Sequence, residues 1–183
     1  FKGFTYMSEK LTPQELVDEI DHCFRHFDQI ISKHNIEKIK TIGDAYMCAC
    51  DLPVANDSNP IDVVKAGLEI QSFMEDLKAK RKAANKPYFE LRLGINTGPV
   101  VAGIVGTKKF QYDIWGDTVN TASRMESSGE VGKVNISQTT YELLKEDTDL
   151  KFESRGMIKA KGKGEMEMYF VSKAQSKPIY NKT

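Results

Sequence analysis

The sequence has no long hydrophobic run, no excess of charge of either sign and no dense set of cysteines. No apolar stretch reaches the roughly 20 residues that a membrane-spanning helix needs, and no cleavable signal is visible. Lysine plus arginine and aspartate plus glutamate number 26 each. The chain therefore lacks the global positive charge that nucleic-acid binding usually requires, and any site for a polyanion must be local.

Cysteine and histidine are too sparse to indicate a metal centre. Cys23, Cys48 and Cys50 are odd in number and show no paired metal-ligand spacing, which favours reduced thiols in a cytosolic setting. His22 and His26 stand four apart on a predicted helix and could hold a metal. Without a Cys-x-x-Cys or His-Glu-x-x-His pattern, ordinary surface or core histidines are the favoured interpretation.

What is present is the composition of one globular domain. The 183 residues are 40% hydrophobic and 28% charged, which is enough to build a genuine core. The chain opens on Phe1 rather than Met. We therefore expect it to be a piece of a longer protein, with any regulatory, sensor or targeting segment outside this stretch.

The pattern of apolar residues predicts an alternation of helices and strands. Thr12-Pro13-Gln14-Glu15 combines an N-cap hydroxyl, a proline and a capping-box glutamate, so a helix should begin there. Residues 36–42 and 45–50 are predicted to form a β-hairpin with Asp44 at its tip. The other predicted elements are a long helix over residues 61–77, strands at 88–96, 100–105, 134–136, 151–154 and 168–171, and a short helix at 139–144.

This order predicts an α+β fold. With one strand before residue 1, the elements read β-α-β-β-α-β, which belongs to a ferredoxin-like antiparallel sheet covered by helices. The later strands and the short helix would add a C-terminal α/β extension. Residues 1–183 are accordingly expected to be a single domain.

Residues 111–125 combine a carboxylate, an amide and a guanidinium in one short segment. If residues 118–125 are helical, Asn120 and Arg124 lie four apart and share a face. An amide beside a guanidinium makes a poor core and a good anion clamp. A solvated amphipathic helix with a surface arginine is the alternative.

Four further segments contain residues suited to phosphate or metal binding. Gly3-Phe4-Thr5 could cradle phosphate oxygens with backbone N–H groups, and Asp44 offers a hard oxygen ligand for Mg²⁺. Arg92 is predicted to lie within a strand, and Lys161-Gly162-Lys163-Gly164 is predicted to be a flexible loop with two positive charges. Each feature alone is equally typical of ordinary turns and solvated side chains.

Taken together, these segments resemble one family closely, the class III nucleotidyl cyclases. The matching stretches are residues 1–5, 38–47, 91–98, 111–125 and 159–164. The resemblance covers nearly the whole chain and is strongest to a bacterial homodimeric adenylyl cyclase. Motifs that vertebrate membrane cyclases divide between two unlike halves occur here in one copy.

The resemblance implies conversion of ATP to 3′,5′-cyclic AMP and pyrophosphate with two Mg²⁺ or Mn²⁺ ions as cofactors. The 3′-hydroxyl attacks the α-phosphate, and the two ions assist it. By family match, Asp44 is one of two bridging carboxylates and the carbonyl of Phe1 supplies a further ligand. The other aspartate of the family immediately precedes the position of Phe1, so we expect the first strand and first metal aspartate to lie upstream.

The remaining roles are also carried over from the resemblance. Arg124 would stabilise charge on the α-phosphate, and Asn120 would orient the ribose. Arg92 and Lys161 match positions that grip the terminal phosphates. Lys40 and Asp113 match the adenine-reading pair, whereas guanylyl cyclases resemble the same pattern with Glu and Cys there. Lys40 could alternatively be a solvated strand residue.

The family's assembly implies a head-to-tail homodimer with composite sites, in which Arg124 works with the partner's Asp44. The domain would face the cytoplasm, fused to regulatory or sensor domains. Two alternatives remain at this stage. One is a guanylyl cyclase, and the other is a catalytically silent nucleotide-binding dimerisation module.

Overall fold

The computed structural model describes residues 1–55, 59–106 and 110–174. Within these ranges, no helix combines the length and apolar character needed to cross a bilayer. The elements in chain order are α1 Phe4–Lys10, α2 Pro13–Lys33, β1 Glu37–Ile42, β2 Ala45–Ala49, α3 Pro60–Ala83, β3 Leu93–Ile95, β4 Val101–Val105, β5 Gln111–Trp115, α4 Asp117–Ser127, β6 Val134–Ser137, α5 Gln138–Leu144, β7 Leu150–Ala160 and β8 Gly164–Lys173.

The two long helices begin where local chemistry directs them. At the start of α2, the Thr12 hydroxyl accepts from the Glu15 backbone N–H, and the Glu15 carboxylate accepts from the Thr12 backbone N–H. This is the capping box that the sequence predicts, and it satisfies two donors that a helix start leaves open. Asn59 and Asp62 form the same arrangement before α3.

The strands form three separate sheets among the described residues. β1 and β2 pair as an antiparallel hairpin, β4 and β5 form a second antiparallel pair, and a four-stranded sheet has the order β3-β6-β8-β7. Within that sheet β3 and β6 are parallel, while β8 is antiparallel to both neighbours. The predicted α+β class is confirmed, in a mixed rather than purely antiparallel arrangement.

The strand predicted at residues 88–96 is shorter than expected. Only Leu93–Ile95 is paired as a strand, with Glu90 making a single bridge to Lys2. β3 and β4 do not pair with each other, since the connection between them is used to receive α4. The carbonyl of Pro99 in that connection accepts a hydrogen bond of 2.6 Å from the Thr118 hydroxyl.

In the part of the chain that the structure describes, two large apolar clusters and one small one make up the core. The first lies between α2 and α3 and includes Phe27 and Met74. The second joins α3 and α5 to the four-stranded sheet and includes Val64 and Ile136. The small cluster of Met125, Ala160 and Met168 packs α4 against the sheet. The α4 helix, which carries Asn120 and Arg124, is therefore held in place by the packing of its buried face against the sheet.

Candidate active site

Lys40 and Asp113, predicted as a pair, meet across two different ladders. Lys40 lies on β1 and Asp113 on β5, and Lys40 Nζ donates to Asp113 Oδ2 at 2.5 Å. Their side chains are 26% and 14% exposed. The register of β1 against β2 shifts between Lys38 and Lys40, and such a bulge is a common way to re-aim a side chain. The Lys40 ammonium and the Asp113 carboxylate thus place a hydrogen-bond donor and an acceptor side by side at a partly exposed position.

The surroundings of Asp113 favour its charged form. The hydrogen bond from Lys40 lowers the pKa of the carboxyl from its usual value of 3.8, burial works in the opposite direction, and the Ile114 N–H adds to the lowering. That N–H donates to Oδ1 at 2.8 Å. Asp113 therefore remains an ionised acceptor throughout the neutral pH range.

Asp44 lies at the tip of the β1–β2 hairpin, as predicted, beside Phe1. The amino group of Phe1 forms an ion pair with Asp44, with its nitrogen 3.0 Å from Oδ2. The ring of Phe1 stacks on Phe89 with a centroid distance of 4.7 Å and on Phe24 at 5.8 Å. This aromatic packing fixes the Phe1 backbone next to the carboxylate, so the two residues proposed as metal ligands lie together.

The donor set at this point fits a weakly chelated hard cation. Across residues 1–55, 59–106 and 110–174, no three His, Cys, Asp or Glu side chains are placed to hold a metal ion. Mg²⁺ nevertheless binds through one or two carboxylates plus substrate phosphates and waters more often than through an all-protein cage. Asp44 with a backbone carbonyl is compatible with that mode. The rings of His22 and His26 are tilted by 58° with centroids 4.5 Å apart, and neither residue belongs to such a group among the described residues.

Gly3, Phe4 and Thr5 begin the short helix α1. Gly3 is the N-cap, with φ 71°, a left-handed conformation that suits glycine. Its carbonyl accepts from Met7. The first N–H groups of a helix have no acceptor within it, so these amides are available to an anion, and their binding of phosphate stays a prediction.

Asn120 and Arg124 lie on α4, as predicted, with residues 111–115 forming a strand ahead of it. Thr121 and Met125 form the buried side of α4, whereas Asn120 is exposed and Arg124 is half-buried. No described residue forms a hydrogen bond or ion pair with either the Asn120 amide or the Arg124 guanidinium. Both groups are free to bind a ligand.

A polar network that sequence patterns do not reveal supports the first turn of α4. Asn96 Nδ2 donates to the carbonyl of Thr118 at 3.0 Å. The Ser137 hydroxyl donates to Asn96 Oδ1 at 2.6 Å and contacts Thr140. Ser137 and Thr140 are almost fully buried. Their contribution follows from the pairing of β3 with β6, which no local pattern predicts.

Arg92 occupies a different setting from the one predicted. It immediately precedes β3 instead of lying within a strand. Its guanidinium bonds the Glu126 carboxylate of α4, with Nε 3.0 Å and NH2 2.9 Å from Oε1. Arg92 lies outside the strand because β3 pairs with β6 only from Leu93 to Ile95. Phosphate binding by Arg92 would require it to leave Glu126.

The segment predicted as a flexible loop is a tight turn between β7 and β8. Gly162 and Gly164 both have φ 75°, and the Lys163 N–H donates to the Ala160 carbonyl at 3.0 Å. Lys161 is exposed, while Lys163 forms an ion pair with Asp117 at the start of α4. The sequence did not predict this contact, which joins residues 46 positions apart in the chain.

The sequence and the fold of the chain have known counterparts. The sequence model of the family described as "Adenylate and Guanylate cyclase catalytic domain" matches residues 1–173. The chain is 39% identical over 169 residues to an adenylate cyclase of Mycobacterium tuberculosis (strain ATCC 25618 / H37Rv), covering 92% of this chain and 37% of that protein. It is 40% identical over 172 residues to human guanylyl cyclase C, covering 93% and 16%.

The fold agrees with these sequence matches. The structure of the adenylyl cyclase CyaB from P. aeruginosa superposes with a TM-score of 0.86 and 29% identity, covering 95% of this chain and 90% of that one. The predicted cyclase fold is thereby confirmed. The chain spans well under half the length of the two curated relatives it matches.

Proposed function

Because the chain belongs to the adenylate and guanylate cyclase catalytic domain family, we propose that it converts ATP to 3′,5′-cyclic AMP and pyrophosphate. The observation that carries this choice of substrate is the Lys40–Asp113 pair. A cationic donor beside an ionised acceptor complements the adenine ring nitrogen and its exocyclic amine. Guanine presents a carbonyl oxygen and a ring N–H at the corresponding edge, which this pair does not complement in the same register.

The free groups on α4 act on the reacting part of the nucleotide. The Arg124 guanidinium stabilises the negative charge that grows on the α-phosphate oxygens, and the Asn120 amide orients the ribose. Support comes from their position four residues apart on one helix, without competing partners in the described structure. Positioning and electrostatic stabilisation account for most of catalysis in phosphoryl transfer.

Class III cyclases generally use divalent metals, and we propose Mg²⁺ or Mn²⁺ held by Asp44 and the Phe1 carbonyl. When bound, such ions lower the pKa of the 3′-hydroxyl and neutralise phosphate charge. A second carboxylate, expected upstream of Phe1, would complete a two-ion site. Asp44 is suited to its part because the hairpin turn holds it at a defined point beside the Phe1 backbone.

Further contacts would hold the terminal phosphates. We assign Lys161 this role because its side chain is exposed on the tight turn between β7 and β8. Lys163 of the same turn forms an ion pair with Asp117 of α4, which holds the turn close to that helix. The N–H groups of Gly3, Phe4 and Thr5 suit an anion for the reason given above. Arg92 is the least direct assignment, since its present partner is Glu126.

We further propose a head-to-tail homodimer with composite sites. The exposed apolar residues of β4, β5 and the position just before β5 support it, with Val101 70% and Ile104 68% exposed and Val105, Phe110 and Trp115 also open to solvent. Patches of this kind are typical of protein interfaces. Among the described residues, no hydrogen bond or ion pair joins the Asp44 carboxylate to α4, which is consistent with two chains sharing one site.

A guanylyl cyclase is the second candidate, and human guanylyl cyclase C is the observation that favours it. A catalytically silent dimerisation module is the third. The test is turnover of ATP and of GTP by the full-length protein, at high concentration with Mg²⁺ and with Mn²⁺. We expect cyclic AMP formation to exceed cyclic GMP formation by at least about 100-fold in kcat/KM.

A double variant sharpens this test. Replacing Lys40 with Glu and Asp113 with Cys should move the preference toward GTP. Lys38→Glu, on the same strand but paired with Asp28, is the matched control and should leave the preference unchanged. Unaltered ATP preference in the double variant would refute the assigned roles. Absence of either product from wild-type protein with both metals would favour the silent module.

A further inference from the structure

The last turn of α4 is held by two polar residues that lie outside the sequence motifs described above. Asn135 on β6 is completely buried, and its Nδ2 donates to the carbonyl of Met125 at 2.8 Å. Arg155 on β7 donates through NH1 to the carbonyl of Ser128 at 2.8 Å. The last carbonyls of a helix have no N–H donor within the helix, so these two hydrogen bonds supply donors to acceptors that would otherwise be unpaired.

Asn135 and Arg155 also act on each other. Arg155 NH1 donates to Asn135 Oδ1 at 3.0 Å, which fixes the amide so that its nitrogen faces Met125. The guanidinium carbon lies 4.2 Å from the centroid of the Phe170 ring, a favourable cation–π position. With its side chain only 13% exposed, Arg155 has little freedom. We call Asn135 and Arg155 the α4 clamp.

The backbone of β7 is shaped to deliver this arginine. The register of β7 against β8 shifts between Ser154 and Met157, and Gly156 has φ 67°. A bulge with a left-handed glycine bends the strand locally. Arg155 lies in that bulge, and its cation also opposes the negative end of the α4 dipole.

The clamp acts beside the proposed catalytic arginine. Met125 directly follows Arg124, and the helix has no space to retreat toward the sheet because a Cβ at Gly94 would overlap the backbone of Met125 and Glu126. A displacement of the Met125 carbonyl therefore moves Arg124 with it. Small misplacements of a catalytic group cause large losses of rate.

We propose that Asn135 and Arg155 are positioning residues that set the place of Arg124 through the carbonyls of Met125 and Ser128. This rests on the proposed cyclase function. The variants Arg155→Lys, which keeps the charge but not the planar fork, and Asn135→Asp, which is isosteric but cannot donate to Met125, test it. Lys151→Ala, an exposed lysine on the same strand β7, is the control.

We expect both variants to lose about tenfold in kcat, with KM for the nucleotide within about twofold. Amide hydrogen exchange should accelerate in the last turn of α4 while α3 stays unchanged. Lys151→Ala should match wild type in all measurements. Unchanged kcat and exchange would overturn the inference, as would a parallel loss of kcat, substrate binding and melting temperature, which indicates a purely structural role.

A variant that does not fold and a wild-type protein that is inactive lead to different conclusions. If Arg155→Lys does not fold, Asn135→Asp decides the matter, and failure of both to fold overturns the positioning role in favour of a structural one. If wild type and Lys151→Ala form no cyclic nucleotide, the proposed function fails by itself. Hydrogen exchange of α4 still reports whether the clamp orders the helix, and unchanged exchange then overturns it.

Discussion

The Tyr112 hydroxyl is buried and has no hydrogen-bond partner among the residues that the structure describes. An unpaired buried hydroxyl costs free energy that a hydrogen-bonded one does not. Tyr46 is the counterexample, since its hydroxyl donates to Asp28 Oδ1 at 2.5 Å. The hydroxyl of Tyr112 is therefore expected to lower the stability of the fold, whereas the hydroxyl of Tyr46 is expected to raise it.

Replacing Tyr112 with Phe should raise the free energy of unfolding by about 1 kcal/mol, because it removes only the unpaired oxygen. Tyr46→Phe is the matched control and should lower it by roughly 1–2 kcal/mol through loss of the bond to Asp28. Urea denaturation at pH 7 measures both. Destabilisation by Tyr112→Phe comparable to that of Tyr46→Phe would show that the Tyr112 hydroxyl has a partner in solution.

The Lys40–Asp113 pair makes stability depend on pH in a defined direction. The pKa of Asp113 is lowered in the folded protein from 3.8, so the pair stabilises the fold fully above pH 3.8. That stabilisation is lost as the pH falls through the folded pKa. Asp113→Asn should cost about 1 kcal/mol between pH 5 and 8, and this difference should shrink below pH 3.8.

Thermal unfolding at several pH values checks this, with Asp149→Asn as the control. The Asp149 carboxylate is exposed and forms no described ion pair, so its replacement should have no comparable effect. A destabilisation by Asp113→Asn that grows on acidification would contradict the assignment.

At the residue scale, the sequence predicted one side-chain contact of the candidate site and missed two others. The resemblance links Lys40 and Asp113, which are far apart in the chain, and the structure brings their side chains into contact, while their role in reading the base stays a prediction. The ion pair between Arg92 and Glu126 and that between Lys163 and Asp117 were missed. Neither pair has a local pattern, and both arise only when α4 packs on the sheet.

At the element scale, helix starts were predictable and strand lengths were not. The capping box at Thr12 was predicted from a local signal, and the structure contains it. The capping box at Asn59 was not predicted, although it is also formed by neighbouring residues. The extent of β3 depends on which strand is beside it. Because β6 meets it only at residues 93–95, the alternating pattern at 88–92 leads to no further ladder.

Close approach of α4 to β3 depends on Gly94. A Cβ added there would overlap the backbone of Glu126 and Met125, so Gly94→Ala must push α4 off the sheet. We expect a loss of roughly 3 kcal/mol in the free energy of unfolding and a marked fall in activity. Gly103→Ala is the control, because its Cβ would meet Trp115 at an ordinary 3.7 Å.

Chemical denaturation and cyclase assays on the two glycine variants check this expectation. Gly103→Ala should change stability by less than about 1 kcal/mol. Equal stability of the two variants would show that α4 can shift freely and that the packing of its last turn is not restrictive.

At the scale of the whole molecule, a composite site makes a complementation test possible. Asp44→Ala and Arg124→Ala chains should each have little activity as homodimers. A mixture should regain activity because a heterodimer contains one site with an intact Asp44 from one chain and an intact Arg124 from the other. For random pairing with equal amounts, about a quarter of wild-type activity is expected, since half of the dimers are mixed and each has one of two sites.

The control for complementation is a mixture of Asp44→Ala with an Asp44→Ala, Arg124→Ala double variant, which leaves no complete site in any pairing. Differently tagged chains, co-purified and counted by mass spectrometry, establish that heterodimers are present. No recovery with proven heterodimers would place Asp44 and Arg124 in the same protomer's site.

The parallel pairing of β3 with β6 has a consequence for the order of folding. Leu93 pairs with Val134, so this contact closes the whole stretch that contains β4, β5 and α4. The hairpins β1–β2 and β7–β8 join neighbouring segments and need no such closure. Loop closure over a long stretch is entropically expensive and slow relative to local hairpins. Catalytic activity should consequently appear on refolding only after most secondary structure has formed. During synthesis, β6 must leave the ribosome before α4 can pack against the sheet.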